Sequence, residues 1–220
     1  MGLHVIGGRN TRIVYLGAQV IGSNASSYTF SSLSPTPGFG EESPRRYIIA
    51  AFHAGQLGPD FTKPICTDIG GVAPTQVLSN PDGPSGGTWS QLWIAAVPTN
   101  ADETLTFSRA GLMTHGLIEV WAGYDLASAV PTDTEIGSSA NPSLGDITVA
   151  GGGCVVAFAT TTSAGAFTWG GVAIDHEATG TGTASSRRYS AAHADKLAAG
   201  LLSISSSQAA SHAFIAASFR

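Results

Sequence analysis

The sequence has little charge and no basic stripe. Aspartate, glutamate, lysine and arginine make up 11% of its 220 residues, against about 25% in an ordinary soluble domain. Fifteen acidic and ten basic residues give a formal net charge of −5, and the only basic doublets are Arg45-Arg46 and Arg187-Arg188. Binding to a phosphate backbone needs clustered lysine and arginine, so we expect no nucleic-acid partner.

Cysteine and closely spaced histidine are also scarce. Cys66 and Cys154 lie in separate apolar stretches without a C-x-x-C motif. Each suits a buried strand position, and whether the two pair in a disulfide stays open. No two of the six histidines are closer than 17 residues, so the spacings typical of metal sites do not occur. We expect no metal and no cofactor.

Long apolar runs are missing as well. No stretch approaches the roughly 18 apolar residues of a membrane span. The first 23 residues are interrupted by Arg9, Asn10 and Arg12 and do not have the pattern of a secretory leader. We therefore expect a protein made in a cytoplasm, with no membrane partner.

The sequence does contain a literal G-x-S-x-G, at residues 83–87. In hydrolases this motif lifts a serine nucleophile on a sharp turn from a strand into a helix. Residues 88–97 are instead rich in aromatic and β-branched side chains and end at Pro98, which predicts a strand. The surrounding proline and glycine predict a turn between strands. We expect Ser85 to be a loop residue, and we predict no catalytic residues and no enzyme activity.

Two further groups of polar residues could carry chemistry. His115 and Glu119 share one face of a predicted strand and could act as a general acid–base pair. We favour a hydrogen-bonded Glu119 at a sandwich edge or subunit contact, because a buried carboxylate must be paired. Asp175-His176-Glu177 is the densest group of potential ligands, but successive strand residues point to opposite faces. We expect this group to form a solvated strand end.

Many short alternating runs separated by Gly, Pro, Asn and Ser predict the fold. They indicate an all-β protein, an antiparallel two-sheet sandwich of jelly-roll type with little or no helix. We assign residues 1–26 to an N-terminal arm or first strand and residues 27–220 to a single sandwich domain. The only helical candidate is the short segment 194–202.

Several predicted strands, such as the one that carries Trp89 and Trp93, are apolar on both faces. Such strands lie between two layers or face a neighbouring subunit. Two long segments, residues 34–44 and 124–145, lack a clear strand pattern and are expected to be contact loops. Interfaces are enriched in aromatic residues, so we name Phe39 and Tyr124 as the contact candidates.

Short motifs along residues 25–220 resemble a loosely defined family of β-sandwich structural proteins of tailed bacteriophages and prophages. The motifs are YTFS at 28–31, RYIIA at 46–50, IGGVAPT at 69–75, VPT at 97–99, TLTFS at 104–108, GGGCVVA at 151–157 and AASFR at 216–220. The resemblance implies a non-enzymatic component of the virion, assembled in the host cytoplasm. It would be a head decoration protein, a spike, or part of a tail fibre or tail tip. Its partners would be copies of itself, most naturally in a trimer, and other virion proteins.

The alternative is a carbohydrate-binding β-sandwich module, which on a virion could bind a host surface glycan. In that case some of the four tryptophans would be exposed as a stacking platform. Their positions in apolar strands argue that most are core residues. The four are Trp89, Trp93, Trp121 and Trp169.

Overall fold

The computed structural model describes residues 11–35, 38–56, 62–80, 88–100, 102–139, 143–163, 165–184, 187–208 and 212–220. The described chain is almost entirely β, and all of its strands pair antiparallel, which confirms the predicted all-β sandwich. Its one helical element is a single 3₁₀ turn, Gly182–Ala184. The strands are β1 (Arg12–Ile21), β2 (Ala25–Phe30), β3 (Ser34–Pro35), β4 (Arg46–Gln56), β5 (Ile65–Ile69), β6 (Thr75–Ser79), β7 (Thr88–Ala96), β8 (Leu105–Tyr124), β9 (Asp133–Ser139), β10 (Ser143–Val149), β11 (Gly153–Thr161), β12 (Thr168–Gly170), β13 (Ala173–Thr179), β14 (Arg188–Leu197), β15 (Gly200–Ser207) and β16 (His212–Phe219).

These strands form three sheets. The main sheet has the order β3-β1-β8-β4-β7-β6, with β2 and β5 also paired to β8. The second sheet has the order β13-β14-β11-β16-β9, and the third is β10-β15-β12. The main and second sheets pack face to face as the sandwich, and the third covers the outer face of the second. We call the layer between the main and second sheets the inter-sheet layer.

Strand β8 organises the main sheet. Its second half pairs with β1 and β4, and its first half pairs with β2 and β5. It is a single strand of 20 residues. Aromatic residues of β2 close over β8 at Gly116, where an added Cβ would lie 2.8 Å from Cδ2 of Tyr28. β8 therefore joins the face of the main sheet to the strands that cover that face.

The strands that are apolar on both faces are central strands. In β4, Ile48 and Phe52 face the core beneath β2 and β5, whereas Ile49 and Ala51 face the inter-sheet layer. The side chains of β11 alternate in the same way, between the inter-sheet layer and the core beneath the third sheet. The first of our two interpretations is thus confirmed, because both faces of these strands are covered within the chain.

Two element predictions were wrong. The helical candidate 194–202 is the end of β14, a short turn and the start of β15, with Lys196 and Gly200 both at positive φ. The expected loop 124–145 contains β9 and the start of β10. Sequence analysis overlooked β9 because it is an edge strand of mostly polar residues, which lacks the apolar alternation that predicts a strand. In the predicted N-terminal segment 1–26, residues Arg12–Ile21 form β1 and pair with β8.

Segment 34–44 is held by a buried arginine. Arg46 is almost fully buried and donates hydrogen bonds only to backbone carbonyls, a use that suits the five fixed donors of a guanidinium. The bonds reach both segment 34–44 and the chain that follows β7, so the segment is fixed to the main sheet. The carbonyls belong to Phe39, Gly40, Glu41, Val97 and Thr99.

Candidate functional site

A buried carboxylate lies at the centre of the inter-sheet layer. Glu119 projects from β8 of the main sheet and is fully buried. The Tyr15 hydroxyl on β1 donates to its Oε2 at 2.5 Å. The Nδ1 atom of His176, on β13 of the second sheet, lies 2.9 Å from its Oε1. Glu119 therefore joins the two sheets through Oε1, while Oε2 bonds to Tyr15 within the main sheet.

A β-bulge in β13 supplies two of the side chains. The pairing of β13 with β14 shifts register between Ile174 and His176, which makes Asp175 the extra residue. A bulge re-aims side chains that a regular strand would send to opposite faces. Asp175 and His176 consequently both reach residues of the inter-sheet layer.

Asp175 forms a second connection between the sheets. Its Oδ2 accepts a hydrogen bond from the indole Nε1 of Trp121 on β8, at 2.8 Å. Its Oδ1 lies 2.6 Å from Nδ1 of His193 on β14. The site thus holds two carboxylate–histidine pairs, which we name the clasp: Glu119 with His176 and Asp175 with His193.

Aromatic rings enclose the clasp. The ring of Tyr15 stacks on that of His176 with centroids 6.0 Å apart and meets Trp121 edge-on. Tyr189 of β14 lies against the other side of His176, at 5.7 Å. These rings exclude water from one side of the pairs, which strengthens the interactions between the charges.

Burial and mutual charge shift the pKa of Glu119, of both histidines and of the two tyrosines of this site. Burial raises the pKa of Glu119, against the hydrogen bond and charge of His176. The hydrogen bond to Glu119 raises the pKa of His176. For His193, burial acts to lower the pKa, but the hydrogen bond and charge of Asp175 and the charge of Asp195 outweigh it and raise the value. Burial, followed by the charge of Glu119, raises the pKa of Tyr15 and Tyr189.

The clasp can hold and exchange protons between paired groups. The nearby Ser190 hydroxyl donates to the backbone carbonyl of His176 and accepts from Trp169 Nε1, so it is not aligned with a ring nitrogen as an activated nucleophile would be. Every carboxylate oxygen of the two pairs bonds to a side chain of this protein. The geometry is that of an internal connection between two sheets.

The structure separates the residues that the sequence suggested as an acid–base pair. His115 lies four residues from Glu119 on β8 and stacks on His53 instead. Glu119 is hydrogen-bonded, as we expected, but it lies inside the sandwich and not at an edge. The expected solvated strand end at residues 175–177 was wrong, because all three side chains are bonded. The third, Glu177, pairs with Arg188 and accepts from the amide of Phe167.

The two contact candidates are core residues. Phe39 and Tyr124 are both buried in the cluster beneath β2 and β5. The Tyr124 hydroxyl donates to the carbonyl of Glu41, so both rings fasten segment 34–44 to the main sheet. Neither ring offers surface to a partner in this structure. Ser85 lies outside the described residues.

Three of the four tryptophans are core residues, as their positions predicted. Trp89, Trp93 and Trp121 are buried. Trp169 is partly buried against the core of the third sheet and donates to Ser190. None of the four therefore forms an open stacking platform.

The cysteines lie in separate cores and are both free thiols, since Cys66 is beneath β2 and β5 and Cys154 is in the inter-sheet layer. Within the described ranges, no three His, Cys, Asp or Glu side chains are grouped so as to hold a metal ion. The same residues include no helix of the length and apolarity that crossing a membrane requires.

The fold and the clasp define an all-β sandwich with a buried ionic connection between its sheets. Comparisons with protein-family models, with curated proteins and with solved structures found no match.

Sequence reasoning missed Tyr15, Trp121 and His193 as partners in the clasp. One signal was available, because Glu119 stands in an otherwise apolar strand and a buried carboxylate requires a partner. The identity of the partner was not available, since it depends on the bulge at Asp175 and on which sheets face each other.

Proposed function

We propose that this protein is a non-enzymatic structural component of a bacteriophage virion and assembles with copies of itself. The observation that carries the proposal is the pattern of apolar residues at the two ends of the second sheet. Ile174 on the end strand β13 is 50% exposed, and Ile136 on the other end strand, β9, is also exposed, as is Val130 just before it.

End strands of a sheet have unpaired backbone groups that can join a strand of another chain. Monomeric proteins usually protect such strands with charge or cover. Here both ends carry exposed isoleucine, so β9 of one copy pairing with β13 of the next would bury these side chains and continue the sheet. Such a head-to-tail contact closes into a ring when the rotation fits, and a trimer is the state that the phage resemblance favours.

The clasp supports a structural role. Its polar side chains are used to join two sheets, which is a structural use of these groups. A glycan-binding module has less support, since the tryptophans that would stack on sugar rings are buried or packed against other side chains.

The experiment is light scattering of the purified protein and of two variants. We expect a homo-oligomer for the unmodified chain and a monomer for Ile174→Lys, because a charge would have to be buried in the contact. Leu201→Lys is the matched control, since Leu201 is 69% exposed but lies on β15, the central strand of the third sheet. It should stay oligomeric. A monomeric unmodified protein, or equal dissociation of both variants, would contradict the assembly contact.

The virion assignment has a separate test. Particles purified from cells that produce the chain should contain it in fixed stoichiometry, measured by quantitative mass spectrometry. Its absence from purified particles would refute the assignment, whatever the oligomeric state.

A further inference from the structure

A second polar cluster lies in the inter-sheet layer, nearer the start of β8 than the clasp. The rings of His53 on β4 and His115 on β8 stack with centroids 5.6 Å apart. Only 1% and 3% of these residues is exposed. Nδ1 of His53 lies 3.0 Å from the Ser90 hydroxyl, and Nδ1 of His115 lies 2.9 Å from that of Thr114.

The other ring nitrogens of this pair have no partner among the residues that the structure describes. Within those residues, Nε2 of His53, Nε2 of His115 and the hydroxyl of Thr160 are buried without a hydrogen bond. Thr160 lies on β11 at the register position opposite Tyr189, whose side chain faces the inter-sheet layer. Folded proteins rarely leave buried polar atoms unpaired, because such an atom has lost its hydrogen bonds to water and gained none in return. Three in one layer indicate a place for a polar ligand.

An arginine faces the same end of the layer. Tyr189 and Ala191 of β14 belong to the inter-sheet core, so strand alternation places Arg187 on that face, one step beyond Tyr189. Trp121 and Glu119 of β8 bond to Asp175 and His176 of β13, and His176 pairs with Ala191 of β14. His115, nearer the start of β8, therefore lies at the level of Arg187. The charge of Arg187 reaches both histidines, where it adds to burial in lowering the pKa of each.

Arg187 makes no ion pair with any carboxylate of the described residues, although its neighbour Arg188 pairs with Glu177. Burial lowers the pKa of Arg187, so its charge is partly desolvated without compensation. A partly buried cation without an anion is a costly arrangement. A bound anion would remove that cost.

The cluster presents hydrogen-bond donors. A hydroxyl that donates to Nδ1 of a neutral imidazole leaves the ring proton on Nε2, which then points away from that hydroxyl. The Thr160 hydroxyl and the guanidinium of Arg187 are donors as well. A metal cation is disfavoured here, because Arg187 would repel it.

We propose that His53, His115, Thr160 and Arg187 form a binding site for a small oxyanion, the phosphate or carboxylate group of a ligand. The oxyanion accepts hydrogen bonds from the two Nε2 atoms and from Thr160 and pairs with the guanidinium. This site is independent of the apolar end strands that carry the assembly proposal.

The test follows the side-chain ¹⁵N signals of the histidines by NMR while sodium phosphate or sodium acetate is added at constant ionic strength. We expect saturable shifts of the His53 and His115 signals with at least one of the two anions. The signals of His176 and His193 in the clasp serve as the internal reference and should move little. The anion that saturates at the lower concentration identifies the oxyanion as tetrahedral or planar.

The deciding variant is Arg187→Gln, which removes the charge and keeps a donor. It should weaken binding about tenfold or more, as expected for loss of a charge-assisted hydrogen bond. Arg45→Gln is the matched control: it makes the same change in net charge at a half-exposed arginine of the other doublet and should bind like the unmodified protein. Backbone NMR spectra establish that both variants are folded. Shifts that grow linearly with both salts, no shifts with either, or unchanged binding by Arg187→Gln would each overturn the proposal.

Discussion

Glu119 shows how one residue can be tolerated inside an apolar layer. A buried carboxylate that lost its partners would cost several kcal/mol. Here one oxygen accepts from Tyr15 and the other meets His176, so both oxygens are satisfied by side chains from different strands. The bond to His176 also connects the two sheets, and the bond from Tyr15 holds the carboxylate in place within the main sheet.

Replacing Tyr15 with phenylalanine tests this connection. Tyr15→Phe removes the donor to Oε2 of Glu119 and leaves the aromatic packing intact, so we expect a loss of about 2 kcal/mol in the free energy of unfolding. Urea denaturation followed by tryptophan fluorescence measures it.

Tyr47→Phe is the control for the same change. Tyr47 packs against the same inter-sheet core, and no hydrogen bond of its hydroxyl occurs among the described residues. It should change stability by less than about 0.5 kcal/mol. Equal losses in both variants would show that the Tyr15 hydroxyl contributes nothing specific.

At the scale of the element, the close approach of β2 to β8 depends on Gly116. An added Cβ would lie 2.8 Å from Cδ2 of Tyr28, 3.1 Å from Cζ of Phe30 and 3.2 Å from Cε2 of Phe52. These atoms belong to packed rings, which move only together. A methyl group at this position therefore has to displace β2 from the face that it covers.

Gly116→Ala should accordingly destabilise the protein by about 1–3 kcal/mol, as overpacking does in other cores. Gly151→Ala is the matched control, because its added Cβ would meet only Ala199 at an ordinary 3.6 Å. Thermal unfolding of the two variants side by side gives the comparison. A Gly116→Ala protein as stable as Gly151→Ala would mean that β2 adjusts freely.

Sequence patterns predicted those elements whose alternation follows a regular strand. The apolar strands β4, β7 and β11 carry alternating or continuous apolar residues, and their position between layers follows from that pattern. The bulge at Asp175 could not be predicted, because nothing in the order of residues 173–177 distinguishes an extra residue from a regular one. The clasp depends on that bulge and on contacts between strands more than 50 residues apart. The residues that pair in the clasp can therefore be identified only from the tertiary structure.

At the scale of the whole molecule, the layering changes the case for assembly. We expected strands apolar on both faces to need cover from a partner, but a third sheet and the strands β2 and β5 supply that cover. The exposed isoleucines that the proposed contact would bury, Ile136 and Ile174, lie at the ends of the second sheet. Because the third sheet, β2 and β5 cover the outer faces of the sandwich, one copy of the chain buries most of its own apolar residues.

The two histidine clusters give the stability of the whole molecule opposite dependences on pH. Burial, and then the charge of Arg187, lowers the pKa of His115 to about 4, so the unfolded chain takes up a proton near pH 6.5 that the folded chain refuses. The stability that a neutral His115 allows is present above pH 6.5 and is lost as the pH falls toward 4. His193 has a raised pKa, and its contribution is present below pH 6.5 and is lost as the pH rises through the folded value.

The comparison of unmodified protein with His115→Gln isolates the first effect. As the pH is lowered from 6.5 to 4, the unfolding free energy of the unmodified protein should fall by about 3 kcal/mol relative to that of His115→Gln. In the comparison with His193→Gln, the unmodified protein should be the more stable of the two below pH 6.5. This stability advantage should shrink as the pH rises above 6.5. Urea unfolding at closely spaced pH values measures both, and a pH-independent difference for His115→Gln would contradict the burial of a neutral ring.

The pairing of β1 with β8 also affects how the chain folds during synthesis. Arg12 at the start of β1 pairs with Tyr124 at the end of β8, so roughly 110 residues separate the two partners during synthesis. At about 5–20 residues per second, a ribosome needs roughly 5–20 s to cover that distance. Apart from the two-residue strand β3, β1 has no other partner among the described strands. The nascent chain must therefore keep its first strand from aggregating until the middle of the protein has emerged.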